Sequence, residues 1–179
     1  KGIETGIMDE PMLRVWMGEW TKPRKQVAQW PGRWVQEKIW PARENAKKLC
    51  CASGALREQP APAEDIVIAS PQTLGMTAGY QCSYGLGPDL SDDQQADDAQ
   101  SCCFDSAPLD NAVEILGEAA VELEISCDRP QALLAARLCE VSSDGASLRV
   151  SYGLLNLSHR DADAEPTPIT PGERIRLRL

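Results

Sequence analysis

Apolar residues recur at every second position through much of the chain. Val121, Leu123 and Ile125 alternate with Glu122, Glu124 and Ser126. Leu148, Val150 and Tyr152 alternate with Ser147, Arg149 and Ser151, and Ile175, Leu177 and Leu179 alternate with Arg174, Arg176 and Arg178. A period of two marks a half-buried antiparallel strand, because successive side chains point to opposite faces. SSDGAS, residues 142–147, joins two such runs through a hairpin-type Asp-Gly turn. ALLAARLCEV, residues 132–141, is apolar on both faces at its start, as expected deep inside a sandwich. Further short strands are predicted over 12–17, 33–39, 47–52, 101–105 and 112–116. Helix signals are poor, and 13 prolines and 13 glycines interrupt the chain throughout. Many short strands separated by turn signals predict an all-β class, an antiparallel β-sandwich or jelly roll.

Three regions depart from this pattern. KGIETGIMDEPMLRVWM, at the start, reads as a short helical tail, a turn at Asp9-Glu10-Pro11 and then a strand. Residues 53–100 form a long, mostly irregular stretch, and loops of that length are usually functional or disordered. RIRLRL stops in mid-strand with no blunted edge behind it. That ending, and a beginning without Met, lead to the expectation of a chain truncated at both ends.

With 179 residues, 42% of them hydrophobic, the chain can bury one sizeable core and is expected to form one main domain. The net charge is −9, unevenly spread. Residues 1–50 hold ten basic against six acidic residues, and the remainder eight against twenty-one. Such an acidic body repels phosphate backbones, so no nucleic-acid partner is expected. No apolar run reaches the roughly 20 residues that span a bilayer, and no secretory signal stands at the start, so no membrane partner is expected and a cytoplasmic location is.

Seven cysteines raise the question of metals or disulfides. Cys50-Cys51 and Cys102-Cys103 are adjacent pairs, Cys82, Cys127 and Cys139 are scattered, and no CxxC occurs. One histidine cannot complete the usual zinc sets. The reading is small apolar filler in a reducing compartment, with no metal and no cofactor.

Ser158-His159 invites a reading as nucleophile and base, since His159 is the only histidine. A catalytic serine needs an imidazole nitrogen within about 2.6–3.2 Å of its hydroxyl and a carboxylate behind that ring. Neighbours in an extended chain diverge, and Asp161 is too close in sequence to stand behind the ring. The pair is expected to be a strand end, with no catalytic residue in the chain. QCSYGLG, residues 81–87, resembles a G-x-S-x-G elbow around Ser83 and Gly85, but Gln81 stands where the sharp turn leaves no room for a side chain. A glycine-rich surface loop is the better expectation. DLSDDQQADD, residues 89–98, has oxygen ligands of the kind calcium takes, without the spacing of a calcium loop. It is read as a solvated acidic loop.

All five tryptophans, Trp16, Trp20, Trp30, Trp34 and Trp40, lie in the first forty residues, where the basic excess also falls. Trp buries a large area and favours interfaces with one wet end. Trp16, Trp20, Trp30 and Trp34 are therefore candidates for packing or docking against another domain. A sugar-stacking platform is the alternative, and it requires the rings in one flat row.

These stretches form a series. KGIETGIMDEPMLRVWM resembles the end of the catalytic domain in the family of X-Pro dipeptidyl-peptidases, cocaine esterase and α-amino-acid ester hydrolases, where a helix ends in K-G-x-x-x-G-I and a P-x-x-x-V-x-M strand follows. DDQQADDAQSCCFDSAPLDNAVEILG resembles the family's D-Q-R segment, its next strand, and the "S-x-P-L" and "E-I-x-G" stretches. ARLCEVSSDGASLRVSYGLLNLSHRD is similar to the "L-x-D-V-x-x-D-G" hairpin and a strand ending in a basic residue, and PITPGERIRLRL to the turn and strand after it.

The resemblance implies a division into residues 1–11, the tail of an upstream α/β-hydrolase domain, and 12–179, an incomplete galactose-binding-like jelly-roll domain. It implies that the catalytic Ser, Asp and His precede Lys1, and that this domain packs on the catalytic domain and helps to shape the substrate pocket. The parent would be a serine hydrolase of esters or Xaa-Pro peptides. The loop 74–88 would approach the active site, which makes Met76, Tyr80 and Tyr84 pocket candidates. Gln95 replaces the arginine of D-Q-R, and LGM stands at 74–76 where the family has L-G-G. The competing expectations are a carbohydrate-binding jelly roll and a domain that drives homodimerisation.

Overall fold

The computed structural model describes residues 2–41, 46–62, 64–79 and 90–179. The chain divides into two compact units, Lys1–Gly117 and Glu118–Leu179. Every named strand pairs antiparallel, and the only α-helix among the described residues is a single turn. This is the all-β class that the alternating pattern predicts, consistent with a sandwich.

In the first unit, β1 (Leu13–Gly18) pairs with β2 (Gly32–Glu37), with Val15 opposite Val35 and Trp16 opposite Trp34. The half-buried positions of β1 are Leu13, Val15 and Met17, as its alternation dictates. Both strands begin or end on glycine because indoles lie there. A Cβ on Gly18 would fall 2.8 Å from Trp30 Nε1, and one on Gly32 would fall 2.7 Å from Trp16 Nε1. Trp30 Nε1 itself donates to the Glu19 carbonyl at 2.9 Å. The predicted helical tail is a single 3₁₀ turn, Ile7–Asp9, with Gly6 at φ 74° before it.

β3 (Cys50–Ala52) and β4 (Ala55–Arg57) form a tight hairpin. Its two loop residues, Ser53 and Gly54, have φ of 49° and 73°. Two consecutive positive φ values match the right-handed twist of a two-residue hairpin, and the glycine makes the second one inexpensive. The Glu64 carboxylate holds the turn by accepting from Ser53 N–H and Ser53 Oγ at 3.2 and 2.7 Å. The expectation of irregular chain from residue 53 is therefore corrected over β4. The strands predicted at 101–105 and 112–116 do not form; only Asp105 bridges, in parallel, to Ala55. A helical turn, α1 (Gln95–Asp98), sits where the long irregular stretch was expected to continue.

In the second unit, β5 (Glu122–Ser126) pairs with β8 (Arg174–Arg178), and β6 (Leu133–Val141) with β7 (Ser147–Asn156). Leu123 faces Leu177 and Ile125 faces Ile175, while Glu124 on the other face bonds both Arg174 and Arg176. Leu179 lies against β7, its Cγ 3.0 Å from where a Cβ on Gly153 would be. The two strand pairs thus meet through Leu179.

The turn between β6 and β7 is the expected Asp-Gly turn. Gly145 N–H donates to the Ser142 carbonyl at 2.9 Å, Gly145 has φ 86°, and Ser142 N–H donates to the Ala146 carbonyl at 2.9 Å. One feature of the hairpin escaped the period-two reading. The register slips between Leu138 and Cys139, so that Leu138 faces Ser151 while Cys139 faces Arg149, leaving Val150 as the extra residue of a bulge. Leu148 is buried, but beyond the bulge the sheltered positions become Gly153, Leu155 and Leu157. Val150, Tyr152 and Leu154 remain 50%, 45% and 62% exposed. The buried apolar residues among those described are Ala52, Ala146, Leu148, Leu157 and Ile169.

Candidate functional site

The most thoroughly built polar arrangement lies in the first unit, between the turn at 74–77 and α1. Gln94 is completely buried, and its Nε2 donates to the carbonyls of Thr77 and Asp92 at 2.9 and 2.8 Å. Asp97, 3% exposed, accepts from Gly75 N–H at 3.0 Å, from Thr77 N–H at 3.2 Å and from the Thr77 hydroxyl. Asp92 N–H returns a bond to the Thr77 carbonyl at 3.0 Å. Thr77 is thereby held by its N–H, its carbonyl and its hydroxyl together.

The local sequence explains the geometry. Asp93 Oδ1 accepts from Gln95 N–H at 3.0 Å, which starts the helical turn. That turn then points Asp97 back at the loop. A buried carboxylate is tolerated only when its lone pairs are filled, and here backbone and hydroxyl donors fill them. The reading of 89–98 as a solvated acidic loop is corrected at Asp97 and Gln94. Sequence reasoning missed both because a run of acidic residues looks solvated; the clue was a Gln inside it, three residues before an Asp. Among the described residues no group of three or more acidic, Cys or His side chains could hold a metal ion.

The clamp presents Met76. Gly75 takes φ 95°, and Met76 is not among the non-glycine residues at positive φ. A methionine in place of the second glycine of L-G-G therefore strains nothing, and its side chain stands 82% exposed. Tyr80 and Tyr84, the other two pocket candidates, lie outside the described residues, as does Ser83.

On the first strand pair, Trp16 and Trp34 meet edge to face, with centroids 5.6 Å apart and planes at 77°. Arg14 stands 6.0 Å over the Trp34 ring. Trp16, Trp20 and Trp34 are 40%, 38% and 62% exposed. Perpendicular rings do not make the flat row that a sugar platform requires. They do make a thick apolar ridge with a cationic rim, of the composition found at protein interfaces.

Ser158 and His159 close a 3₁₀ turn, Leu157–His159, directly after β7. Ser158 is buried, and Asn156 Oδ1 accepts from its backbone N–H at 3.1 Å. His159 Nδ1 lies 3.3 Å from the Ala162 carbonyl oxygen. Arg160 donates to the carbonyls of Leu157 and Thr167 at 2.9 and 2.8 Å. The basic residue at the strand end is a staple for the following loop.

Residues 5–179 match the family described as the X-Pro dipeptidyl-peptidase C-terminal non-catalytic domain. The chain belongs to that family. Two proteins whose names call them candidate serine esterases, from Mycobacterium bovis and Mycobacterium tuberculosis, are each 24% identical to it over 174 residues. The alignment covers 94% of this chain and 26% of each relative, so the chain spans about a quarter of their length. The resemblance drawn from the K-G-x-x-x-G-I stretch, the Asp-Gln segment and the Asp-Gly hairpin is thereby borne out.

Proposed function

We propose that this chain is the accessory β-sandwich, of jelly-roll type, of a serine hydrolase of the cocaine esterase and X-Pro dipeptidyl-peptidase kind. In this reading residues 12–179 pack on an α/β-hydrolase domain, and residues 1–11 connect to it. The single observation that carries the reading is the match of nearly the whole chain to a domain described as non-catalytic. The exposed Trp16–Trp34 ridge supports the docking role. The clamp supports the pocket role: Asp97 and Gln94 fix a turn whose one large protruding side chain is Met76, and a fixed turn places an apolar contact without an entropic penalty on binding. The parent enzyme would cleave an ester or an Xaa-Pro amide through an acyl-enzyme.

Two assays test this. The purified chain should not turn over p-nitrophenyl esters or Xaa-Pro amides. Turnover that disappears in Ser158→Ala would place the chemistry here and sink the proposal. In the full-length enzyme, Met76→Ala should raise KM severalfold with kcat little changed. An unchanged KM across several acyl groups would remove Met76 from the pocket.

A further inference from the structure

The segment from Glu64 to Ser70 runs without a turn or a bend. Exposure alternates along it, with Ile66, Val67 and Ile68 at 46%, 92% and 60%. Alternation of that kind belongs to an extended chain, here with Ile66 and Ile68 on the more sheltered side. Their β-branched side chains favour that conformation, and Pro62 and Pro71 bound it. Yet the segment belongs to no sheet, and among the described residues none hydrogen-bonds to the backbone of residues 66–70. Exposed strand edges are ordinarily kept from pairing by charge, Pro or a bulge, and residues 66–70 carry no charge and no Pro.

Residues 66–70 form one wall of an open groove of about 360 Å³, and residues 99–102 form the other. Two polar side chains of the second wall turn back onto α1 instead of crossing. Gln100 Nε2 donates to the Ala96 carbonyl at 3.1 Å, and Ser101 Oγ donates to the Asp97 carbonyl at 2.7 Å. Cys102 is exposed, as are Cys51 and Cys103, which corrects the reading of these three as apolar filler. The charge around the groove has one sign. Residues 58–117 hold eleven Asp or Glu and no Lys, Arg or His, and Asp65 and Asp98 adjoin the two walls. The ion pairs of Lys25, Arg33 and Lys47 go to Asp92, Glu114 and Glu58, none of which lines the groove.

We propose that residues 66–70 are a docking edge for an extended peptide segment in which apolar residues alternate with Lys or Arg. The incoming segment adds a strand, and its amides and carbonyls meet the backbone groups of residues 66–70 that have no protein partner. Its apolar residues pack on Ile66 and Ile68. Its basic residues face the acidic flanks of the groove, which gives the choice of partner and speeds the encounter. A second copy of this chain fits less well, because it would bring one acidic surface against another. The proposal stands on the 66–70 backbone and the groove, and it is independent of the accessory-domain reading.

The test is fluorescence anisotropy of a labelled peptide of Val-Arg repeats titrated with the chain. Binding should saturate, and Ile68→Asp should weaken it by about tenfold or more. Three altered peptides separate the contributions. One has alternate backbone amides N-methylated, one has Gly for Val, and one has Glu for Arg. Each should bind weakly or not at all. Amide hydrogen exchange of the unaltered chain with the Val-Arg peptide should slow at residues 66–70, which decides the matter even if the variant misfolds. Equal binding of the N-methylated or the Gly peptide would mean charge attraction alone and would overturn the proposal. So would protection confined to another segment, or self-association without peptide that Val67→Lys abolishes, since a second copy would then hold the edge.

Discussion

Asp97 sits in a run of aspartates that look alike in sequence, and only its surroundings make it different. Its carboxylate is the acceptor for Gly75, for Thr77 N–H and for the Thr77 hydroxyl. Removing it strands buried donors, whose cost is about 1–3 kcal/mol. Asp97→Ala should therefore lower stability in urea titration by about that amount and speed hydrogen exchange at Gly75 and Thr77. Asp98→Ala, one residue on and less buried, should change little. Glu124 gives a pH dependence of known sign. Hydrogen bonds from Arg176 and Arg174 hold its carboxyl below the usual carboxylate range. A lowered folded value means that the contribution is present above the unfolded value and is lost as pH falls through the folded one. Glu124→Gln should thus narrow the stability difference between neutral and strongly acidic pH. Because the side chain is 40% exposed, the effect should also shrink in high salt.

At the scale of elements, the β6–β7 hairpin shows where pattern reading works and where it stops. The Asp-Gly turn was legible because few sequences supply a positive φ so readily, and Gly145 does so. The bulge at Val150 was not legible. Val150 is apolar and in phase with Leu148, yet the inserted residue reverses the phase of everything beyond it. The two leucine-like positions should therefore respond differently. Leu148→Ala should cost about 2–4 kcal/mol as a core truncation, whereas Val150→Ala should cost less than about 0.5 kcal/mol as a surface change. Thermal or urea denaturation of the two variants would compare them directly, and equal losses would mean an unbroken alternation. Gly153 offers a contact test of the same unit. Gly153→Val must displace Leu179 or the strand, and overpacking of that kind costs about 1–3 kcal/mol.

For the whole molecule, the balance of exposed and buried apolar surface is unusual. Trp34, Leu133, Val150 and Leu154 are all at least half exposed. Apolar surface on that scale is found where a partner covers it or where aggregation follows. The isolated chain should therefore bind a hydrophobic dye strongly and self-associate on light scattering. Joined to the α/β-hydrolase domain proposed above, it should do neither. A strictly monomeric isolated chain that binds no dye would argue against a covering partner. No helix among the described residues is long and apolar enough to cross a membrane.

The alternating runs at 121–126, 147–152 and 174–179, the Asp-Gly turn and the family motifs determined the all-β class and the family on their own. Each is a local property: strand period and turn dihedrals depend on adjacent residues, and motifs are read in order. Tertiary structure alone decided that Asp97 is buried while its neighbours are not and that Val150 faces outward. It also decided that Trp16 and Trp34 meet edge to face, and that Asp105 bridges to Ala55. Those facts depend on which distant segments meet, and hydrogen bonds between residues far apart in sequence leave no periodic trace along the chain.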